Sequence, residues 1–368
     1  MRITVLTHNL SSNAAMRAHR LAQAASRFAE VTLIGPVARA GPWGALPRDI
    51  PIVSVKKRRF PEFFNRFVDL VEKADGDVLI AAKPHLASFG VALVAAEKRS
   101  VPVILDVDDL EVALAPRSSW VADSLTTDLS RPGSIVYVSL LTRAAGAAAA
   151  ITASSTALAR RFGGIVIPHG VDTDLFDPAR INREEARRAF GFSGPTVLFA
   201  GTPRGHKGLR ELALAVARVP HARLAVACRP TDLTGPEWDL LPFHRIPLLP
   251  YTELPALLAA ADAVAIPQLD SEAAAYQMPM KVFDAMAAAR PIVASAISDL
   301  PIALEGCGRL TPPGDVEALA EAITDLLRHP GESRDMGRRA RERCLAMYTL
   351  AETSRLLEEV VLRAVDAV

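Results

Sequence analysis

The sequence predicts an α/β fold made of two doubly wound domains that face each other across a cleft. Two observations lead to this prediction. Short apolar runs rich in β-branched residues alternate with helical patterns over nearly the whole chain, which is typical of parallel strands buried by crossover helices. The alternation occurs in two separate series, and 368 residues suit two domains of about 150 residues each.

The first series contains four strand-like runs and three helical patterns. The runs are RITVLTH, EVTLIGP, DVLIAAK and VPVILDV, and helices are expected near residues 13–29, 61–74 and 86–98. A helix between consecutive parallel strands is the arrangement of a Rossmann-like domain. We therefore expect such a domain at residues 1–168.

The second series shows the same alternation of strand-like runs and helical patterns, and it ends in a helical tail. Its runs are PTVLFAG, ARLAVAC, DAVAIPQ and RPIVASA, with helices near 207–219, 252–261 and 280–289 and further helical patterns from about residue 316. The segment IVIPHGVDTDLFDPARINREE, between the series, is rich in Pro, Gly and Asp like a linker. We expect a linker at 169–192, a second Rossmann-like domain at 193–345, and a C-terminal helix at 346–368 that packs back toward the first domain.

Composition argues against several classes of protein. The formal net charge is +1, whereas binding to nucleic acid phosphates needs a basic surface. The three cysteines, Cys228, Cys307 and Cys344, are scattered without metal-ligand spacing, so we expect reduced, buried thiols. The N-terminal run lacks a signal-peptide pattern, and no apolar window reaches the about 18 residues of a membrane-spanning helix. We therefore expect a cytoplasmic protein.

Polar residues follow several of the predicted strands. Ligands of open parallel sheets bind outside the carboxyl ends of the strands, so these residues are candidates for a site. The first domain contributes His8, Asn9, Lys83, His85, Asp106, Asp108 and Asp109, and the second contributes the loops GTPRGHKG and QLDSEAAAYQMP. We expect the cleft to bring the two sets together.

The stretch AGTPRGHKGLRELALA, residues 200–215, combines a strand end, a glycine loop and a helix start. Backbone N–H groups at a helix start favour an anion, and Arg204 and Lys207 could clamp a diphosphate there. Gly208 stands where a Walker loop has Ser or Thr, and the spacing of a dinucleotide fingerprint is missing. A tight turn with solvated basic residues is the alternative.

The stretch YQMPMKVFDAMAAARPIV, residues 276–293, places Pro279 at the first helical position and Lys281 in the first turn. A cation at this end of a helix is unfavourable by about 0.3–1 kcal/mol. Lys281 and Asp284 share one helix face and could pair at the surface. The lysine makes better sense if an anion occupies the helix start and the carboxylate holds a sugar hydroxyl.

Four segments together resemble the GT-B glycosyltransferases of the large retaining family 4. They are IPHGVDTDLFDP, VLFAGTPRGHKGLRELALA, LLPYTELPALLAAADAVAIP and KVFDAMAAARPIVAS, in the order that the family has. The resemblance runs essentially end to end. It implies two Rossmann-like domains, an acceptor side on the first domain, and a nucleoside-diphosphate sugar bound mostly by the second.

The resemblance also implies roles for single residues. Arg204 and Lys207 would hold the diphosphate with backbone near Met280, Asp284 would hold the ribose, and Lys281 would face the phosphates or sugar. The implied donor-binding set is Gly201, Thr202, Arg204, Lys207, Leu248, Leu249, Tyr276, Met280, Lys281 and Asp284, with the base at Leu248 and Leu249. The acceptor-side set is His8, Asn9, Lys83, His85 and Asp109.

The chain departs from the family pattern at three places. Thr202 stands where the family has an arginine, with Arg204 two places later. Tyr276 replaces the first of two glutamates spaced eight apart, and whether Glu272 or Tyr276 takes over its contact to the donor sugar stays open. The loop after the first strand is LSSNAAM rather than glycine-rich, so the acceptor side is expected to be unusual.

The segment DVDDLE places Asp108 where many relatives carry a histidine close to the reacting sugar. Asp108 is therefore a candidate catalytic residue, together with Arg204 and Lys207. It would stabilise the sugar or orient the acceptor hydroxyl. The D-x-D triplet binds metal in another class of transferases, but the phosphate-holding groups here are basic, so we expect no metal or cofactor. A helix-capping carboxylate is the alternative.

The segment VKKRRFPEFFNRF joins four basic residues to a helix face of Phe63, Phe64, Phe67 and Leu70. Contact with an anionic membrane through Lys56–Phe67 is one interpretation, and a solvated charge run beside core aromatics is the other. His169 and His206 stand alone and are expected to be solvated or in linkers.

The predicted activity is metal-independent transfer of a hexose or related sugar to a glycan, lipid-linked or small-molecule acceptor, with retention at the anomeric carbon. Polysaccharide biosynthesis is the expected context. A nucleotide-sugar epimerase and a non-catalytic nucleotide-sugar-binding subunit remain as alternatives. Turnover of donor alone would distinguish the epimerase, and binding without turnover would distinguish the subunit.

Overall fold

The computed structural model describes residues 1–114, 129–233, 238 and 242–367. The chain forms two compact units. The first unit contains residues 1–170 and 350–368, and the second contains residues 171–349. The first unit is therefore built from two separate parts of the sequence.

The first unit contains a seven-stranded sheet in which every described strand pair is parallel. The strands are β1 (Arg2–Thr7), β2 (Glu30–Val37), β3 (Ile52–Lys56), β4 (Val78–Ala82), β5 (Val103–Val107), β6 (Ala150–Ala153) and β7 (Ile165–Val166). Their order is β3-β2-β1-β4-β5-β6-β7. The four predicted runs are confirmed as β1, β2, β4 and β5. The sequence did not predict β3, β6 and β7. These strands lie toward the sheet edges, where a strand can be short or partly polar because it is less completely covered.

The described helices of this part are α1 (Ala15–Ala25), α2 (Phe63–Lys73), α3 (Val91–Arg99), α4 (Glu111–Leu114), α5 (Ile135–Arg143) and α6 (Thr156–Phe162). A π-helical turn, Leu86–Gly90, precedes α3. The helices predicted near 13–29, 61–74 and 86–98 therefore exist, with shorter or divided spans.

The second unit contains a six-stranded sheet, also parallel throughout. Its strands are β8 (Thr196–Ala200), β9 (Arg223–Ala227), β10 (His244–Ile246), β11 (Ala263–Ile266), β12 (Ile292–Ser295) and β13 (Arg309–Thr311), in the order β10-β9-β8-β11-β12-β13. Both sheets thus have a doubly wound order, which reverses between β1 and β4 and between β8 and β11. Such reversal points are where ligands of open α/β sheets bind.

The helices of the second unit are α7 (Arg183–Ala189), α8 (Leu209–Val216), α9 (Leu254–Ala260), α10 (Glu272–Tyr276), α11 (Met280–Ala287), α12 (Leu300–Ala303), α13 (Val316–Arg328) and α14 (Pro330–Met347). Helix α7 lies inside the expected linker and packs against α9. The apolar core between β8, β9, α8 and α13 includes Val197, Leu212 and Ile323, all buried.

The last helix, α15 (Leu350–Asp366), belongs to the first unit and packs against α1. Its inward side buries Leu357, Val360 and Val361. The three cysteines are buried thiols that do not take part in disulfides. Among the described helices, none combines the length and apolar character that crossing a bilayer requires.

A buried ion pair joins α1 to β5. The Arg17 guanidinium donates to both carboxylate oxygens of Asp106 at 2.7 and 2.9 Å and to the carbonyls of Ile167 and Pro168 at 2.8 and 3.2 Å. Thr152 Oγ1 donates to Asp106 at 2.7 Å. The strand-end rule grouped Asp106 with the polar loop residues, and this was wrong, because Asp106 lies inside β5 and binds the fold's own groups.

Candidate functional site

The first candidate site lies at the carboxyl edge of the first unit's sheet. His8 follows β1, Lys83 and His85 follow β4, and Asp108 and Asp109 follow β5. The neighbouring positions of these three strands in the sheet bring the residues together at the point where the strand order reverses. We call this group, with Glu111, the first-unit cluster.

Lys83 is the centre of the first-unit cluster. Its Nζ lies 3.1 Å from Asp108 Oδ1, 2.5 Å from Asp109 Oδ2 and 2.5 Å from Glu111 Oε1. The side chain is 6% exposed, and its backbone adopts a left-handed φ of 71°. That conformation is uncommon outside glycine and marks a position held by its surroundings.

His8 and His85 stack beside these charges. Their ring centroids are 3.8 Å apart with planes 13° from parallel, and His85 Nε2 lies 3.1 Å from Glu111 Oε2. The Nδ1 atoms of both rings are buried and have no hydrogen-bond partner in the described part of the chain. Burial and the neighbouring His85 lower the pKa of His8 well below its ordinary value, so this ring is neutral.

The charges of the first-unit cluster shift one another's pKa values. Burial lowers the pKa of Lys83, but the three carboxylates outweigh it and hold that pKa well above its ordinary value. Burial raises the pKa of Glu111, but Lys83 and His85 outweigh it and hold that pKa well below its usual range. Burial raises the pKa of Asp108 to about 7, against the opposing effect of Lys83. Lys83 Nζ lies 3.1 Å from Asp108 Oδ1 without the geometry of a hydrogen bond. With a pKa of about 7, this carboxyl can gain or lose a proton near neutral pH.

The carboxylates of Asp108, Asp109 and Glu111 have ligand atoms within 4.8 Å of one another, a spacing that a divalent cation could use. The Lys83 ammonium contacts all three. A metal ion would therefore have to compete with a cation that the chain itself supplies.

Asn9 is not part of these contacts. Its Oδ1 accepts from the backbone N–H of Ser11 at 3.1 Å, the local bond by which an Asn side chain shapes a turn. Ser11 Oγ in turn donates to the carbonyl of Gly41 at 2.6 Å. Asn9 therefore fixes the loop after β1, and its acceptor-side role stays a prediction.

The second candidate site lies at the carboxyl edge of the second unit's sheet, where the loops after β8 and β11 meet. Gly208 has a left-handed φ of 62°, and a Cβ atom added there would lie 1.7 Å from the carbonyl oxygen of Pro267. The backbone N–H of Leu269 donates to the carbonyl of His206 at 2.9 Å. Only glycine fits at Gly208, because both the backbone angle and the close approach exclude a side chain.

The predicted phosphate-binding residues stand on the first of these loops. Lys207 is half-buried, and its Nζ donates to Oε1 of Gln277, which precedes α11. Arg204 is exposed and has no ion-pair partner among the described residues. Gly201 and Thr202 are half-buried at the start of the loop. No side chain caps the start of α8, so the loop presents cations and helix N–H groups together.

Lys281 and Asp284 pair at the start of α11. Lys281 Nζ lies 3.4 Å from Asp284 Oδ2 and 5.7 Å from the centre of the Tyr251 ring. Asp284 is fully buried, and its Oδ1 accepts from the Tyr251 hydroxyl at 2.7 Å. The surface pair considered from sequence is wrong in its placement, because the carboxylate is inside the fold. Pro279 is the capping residue rather than the first helical one.

The remaining predicted donor residues lie around the same edge. Leu248 and Leu249 follow β10 and are half-buried, as are Tyr276 and Met280. Glu272 is exposed at the start of α10. The structure describes these positions, and their contacts with a donor stay predictions.

Sequence reasoning missed several partners in both sites. Glu111 ends the quoted DVDDLE segment, and its spacing of three from Asp108 was the available signal. Gln277 and Tyr251 lie in segments that the sequence grouped with the site, but their pairing could not be predicted, because their partners Lys207 and Asp284 are 70 and 33 residues away. Gln268, after β11, opens the loop QLDSEAAAYQMP that the sequence grouped with the site, but it was given no role of its own. It is fully buried, and neither amide atom has a hydrogen-bond partner in the described ranges.

Comparison with known proteins gives a family for part of the chain. Residues 194–329 match the family model described as Glycosyl transferases group 1. An MMP alpha-(1->4)-mannosyltransferase of Mycolicibacterium hassiacum is 32% identical over 214 residues, which cover 54% of this chain and 49% of the relative. A D-inositol 3-phosphate glycosyltransferase of Mycobacterium marinum is 32% identical over 178 residues, which cover 44% of this chain and 37% of the relative. The matches thus span about half or less of these curated relatives.

Solved structures match over the full chain. A sucrose-phosphate synthase from Thermosynechococcus elongatus aligns with a TM-score of 0.75 at 18% identity and covers 100% of both chains. HepE of Anabaena in complex with UDP-glucose aligns with a TM-score of 0.74 at 16% identity, covering 98% of this chain and 99% of its own. The second unit therefore contains a Glycosyl transferases group 1 domain, and the chain has the two-domain α/β fold of GT-B glycosyltransferases.

Proposed function

We propose that this protein is a retaining glycosyltransferase that moves a hexose or related sugar from a nucleoside diphosphate to an acceptor hydroxyl without a metal ion. The two relatives compared above are a mannosyltransferase and an inositol phosphate glycosyltransferase. The structure of HepE with UDP-glucose supports a uridine nucleotide sugar as the first donor to test.

The observation that carries the proposal is the contact between the loops after β8 and β11. Two contacts hold the basic loop at the reversal point of the sheet. They are the close packing of Gly208 on the Pro267 carbonyl and the hydrogen bond from Lys207 to Gln277. Arg204 is exposed beside them. A diphosphate there would gain cationic side chains and the N–H groups at the start of α8, which together favour doubly charged anions.

Three further donor contacts belong to the proposal. The base would rest on backbone near Leu248 and Leu249, and Lys281 would face the phosphates or sugar. The Asp284 carboxylate would reach a ribose hydroxyl only if its bond to Tyr251 yields, because both of its oxygens have partners. We therefore give Asp284 an indirect role in donor binding. It positions the side chains of Lys281 and Tyr251, with which it pairs.

The chemistry needs charge stabilisation more than a nucleophile. As the bond between the anomeric carbon and the diphosphate oxygen breaks, the electron pair leaves with the diphosphate and the sugar gains oxocarbenium character. Arg204 and Lys207 stabilise the departing charge, an effect worth about 100- to 1000-fold in rate for one well-placed donor. The acceptor oxygen bonds to the same carbon, and its proton passes to the leaving phosphate.

We assign the acceptor to the first-unit cluster. Asp108, with a pKa of about 7, would orient the acceptor hydroxyl as a hydrogen-bond partner. The position of that carboxyl would be fixed by the other members of the cluster, Asp109, Lys83, His8 and His85. Lys83 neutralises charge that a metal would otherwise neutralise, so activity should persist in a chelator.

The test begins with donor binding. Thermal melting of the full chain with UDP-, GDP- and other nucleotide sugars should identify a donor, since a ligand that binds only the native state raises the melting temperature. Lys207→Ala and Arg204→Ala should weaken that stabilisation. Arg223→Ala is the matched control, because Arg223 is exposed at the opposite end of β9.

Turnover then separates the alternatives. Sugar transfer that needs an acceptor and continues in chelator supports the proposal. Conversion of the donor without any acceptor would instead indicate an epimerase. Donor binding without turnover across an acceptor panel would indicate a non-catalytic subunit, for which Tyr276 in place of a carboxylate would be the reason.

A further inference from the structure

Residues 56–69 of the first unit form a basic, partly apolar surface that neither site uses. The segment has five Lys or Arg and two Asp or Glu residues, a net charge of +3, although the whole chain has a net charge of only +1. Lys56, Lys57 and Arg58 are exposed and have no ion-pair partner in the described part of the chain. We call residues 56–69 the basic-aromatic surface.

Large apolar side chains stand beside these cations. Phe64 is 67% exposed and Val68 is 50% exposed, one helical turn apart on α2. Phe63 and Leu70 are buried on the other side of the same helix. The single aromatic face predicted from sequence is therefore divided. One side anchors α2 in the core, and Phe64 points away from it.

The basic-aromatic surface is held in place by α5 and the segment before it. The Phe60 ring lies 5.1 Å from Phe63 and 5.7 Å from Tyr137 of α5, measured between centroids. The backbone N–H of Phe60 donates to the carbonyl of Ser130 at 2.7 Å. Beside Tyr137, α5 exposes a second apolar pair one turn apart, Val136 at 38% and Leu140 at 55%. Exposed apolar groups thus extend across two anchored helices.

We propose that the basic-aromatic surface, with Val136 and Leu140, docks the protein on the surface of an anionic lipid bilayer. The exposed side chains of Lys56, Lys57 and Arg58 are attracted to negative headgroups, and exposed aromatic and aliphatic side chains enter the boundary between headgroups and acyl chains. Lys56 ends β3 and Lys57 and Arg58 follow it, so these cations lie at the same carboxyl edge of the sheet as the first-unit cluster. Docking therefore holds that edge near the membrane. The proposal is independent of the transferase proposal.

A bilayer fits this surface better than nucleic acid or a protein. Val68, Val136 and Leu140 offer neither charge to a phosphate nor a ring to a base, so nucleic acid leaves them exposed to water. The segment's excess of cations would remain uncompensated in an apolar protein interface. An anionic bilayer satisfies both kinds of group at once.

The experiment is flotation of the full chain with vesicles of phosphatidylcholine alone or mixed with phosphatidylglycerol. We expect flotation only with the anionic vesicles, weakened by high salt because exposed charges are screened. Lys57→Gln with Arg58→Gln should lower the partition coefficient roughly 30-fold, since each basic residue near an anionic surface contributes about five-fold. Phe64→Ser should lower it by about 10-fold.

Two control variants remove the same kinds of side chain from other parts of the surface. Arg27→Gln with Arg48→Gln removes two exposed charges that precede β2 and β3, at the opposite edge, and Ile302→Ser removes an apolar side chain that is 54% exposed in the second unit. Both should float like the parent, and melting curves confirm that every variant is folded. Equal flotation of the parent with neutral vesicles, no flotation at all, or unchanged flotation of the Lys57/Arg58 variant overturns the proposal. So does binding of the parent to RNA or to itself without flotation.

Discussion

The two sheets end in polar edges of opposite character, although both are doubly wound and both place these residues at the reversal of strand order. At the first edge the positive charge of Lys83 is neutralised within the protein, because its ammonium contacts three carboxylates in a buried cluster. At the second edge Arg204 is exposed and Lys207 contacts the neutral amide of Gln277. A cation at a strand end can therefore be neutralised within the fold, as Lys83 is, or stay exposed, as Arg204 is. Burial and the charge of its contacts decide which.

The largest expected effect is on stability at the first edge. Lys83→Met should destabilise the fold by about 3–5 kcal/mol, because it leaves buried carboxylates without their cation. Urea denaturation measures this loss. Lys98→Met is the control, since Lys98 pairs with Glu72 on the surface and more than half of each side chain is exposed. Similar small losses for both variants would contradict a structural role for Lys83.

The next effect concerns the backbone of the second edge. Gly208→Ala should cost about 3 kcal/mol, because a Cβ overlaps the Pro267 carbonyl and the left-handed angle is strained. Donor binding should fall with it. Gly205→Ala, three residues earlier on the same loop, meets no atom within 4 Å and should leave urea midpoints and donor binding unchanged. If both variants behave alike, the two loops are not in contact as described.

A third effect is the pH dependence of the first edge. Burial raises the pKa of Asp108 to about 7, whereas an unfolded aspartate titrates near 4. The native state therefore holds a proton that the unfolded state has lost between these values, and this contribution to stability disappears as pH rises through 7. Asp108→Asn cannot titrate, so its stability relative to the parent should rise by about 2.6 kcal/mol from pH 5 to pH 8. A pH-independent difference between the two denaturation series would show that Asp108 is ionised throughout.

The smallest expected effect is on stability when Arg204, at the second edge, is replaced. Arg204→Ala should change the free energy of unfolding by less than about 0.5 kcal/mol, because the side chain is exposed. The rise in melting temperature with the identified nucleotide sugar should nevertheless shrink. A large loss of stability without any donor would place Arg204 with Lys83 among the cations that serve the fold.

The sequence was sufficient for the architecture but not for this distinction. The apolar runs of β1, β4, β5 and β8 identify parallel strands without any tertiary information, and the rule for strand ends then gathers His8, Lys83 and Asp108. Short edge strands such as β7 carry too few residues to show a period. The neutralisation of Lys83 depends on side-chain packing across segments 25 to 28 residues apart. Likewise, the spacing of Lys281 and Asp284 predicted their pairing, but the burial of Asp284 depends on Tyr251 from another loop.

The discontinuous first unit has a consequence for how this protein is made. Helix α1 precedes the second unit in the sequence and therefore leaves the ribosome before it, yet its partner α15 consists of residues 350–366, which follow that unit. The part of α1 that contacts α15 therefore stays without this partner until the entire second unit has been synthesised, so the first unit completes its packing only after the second has been made.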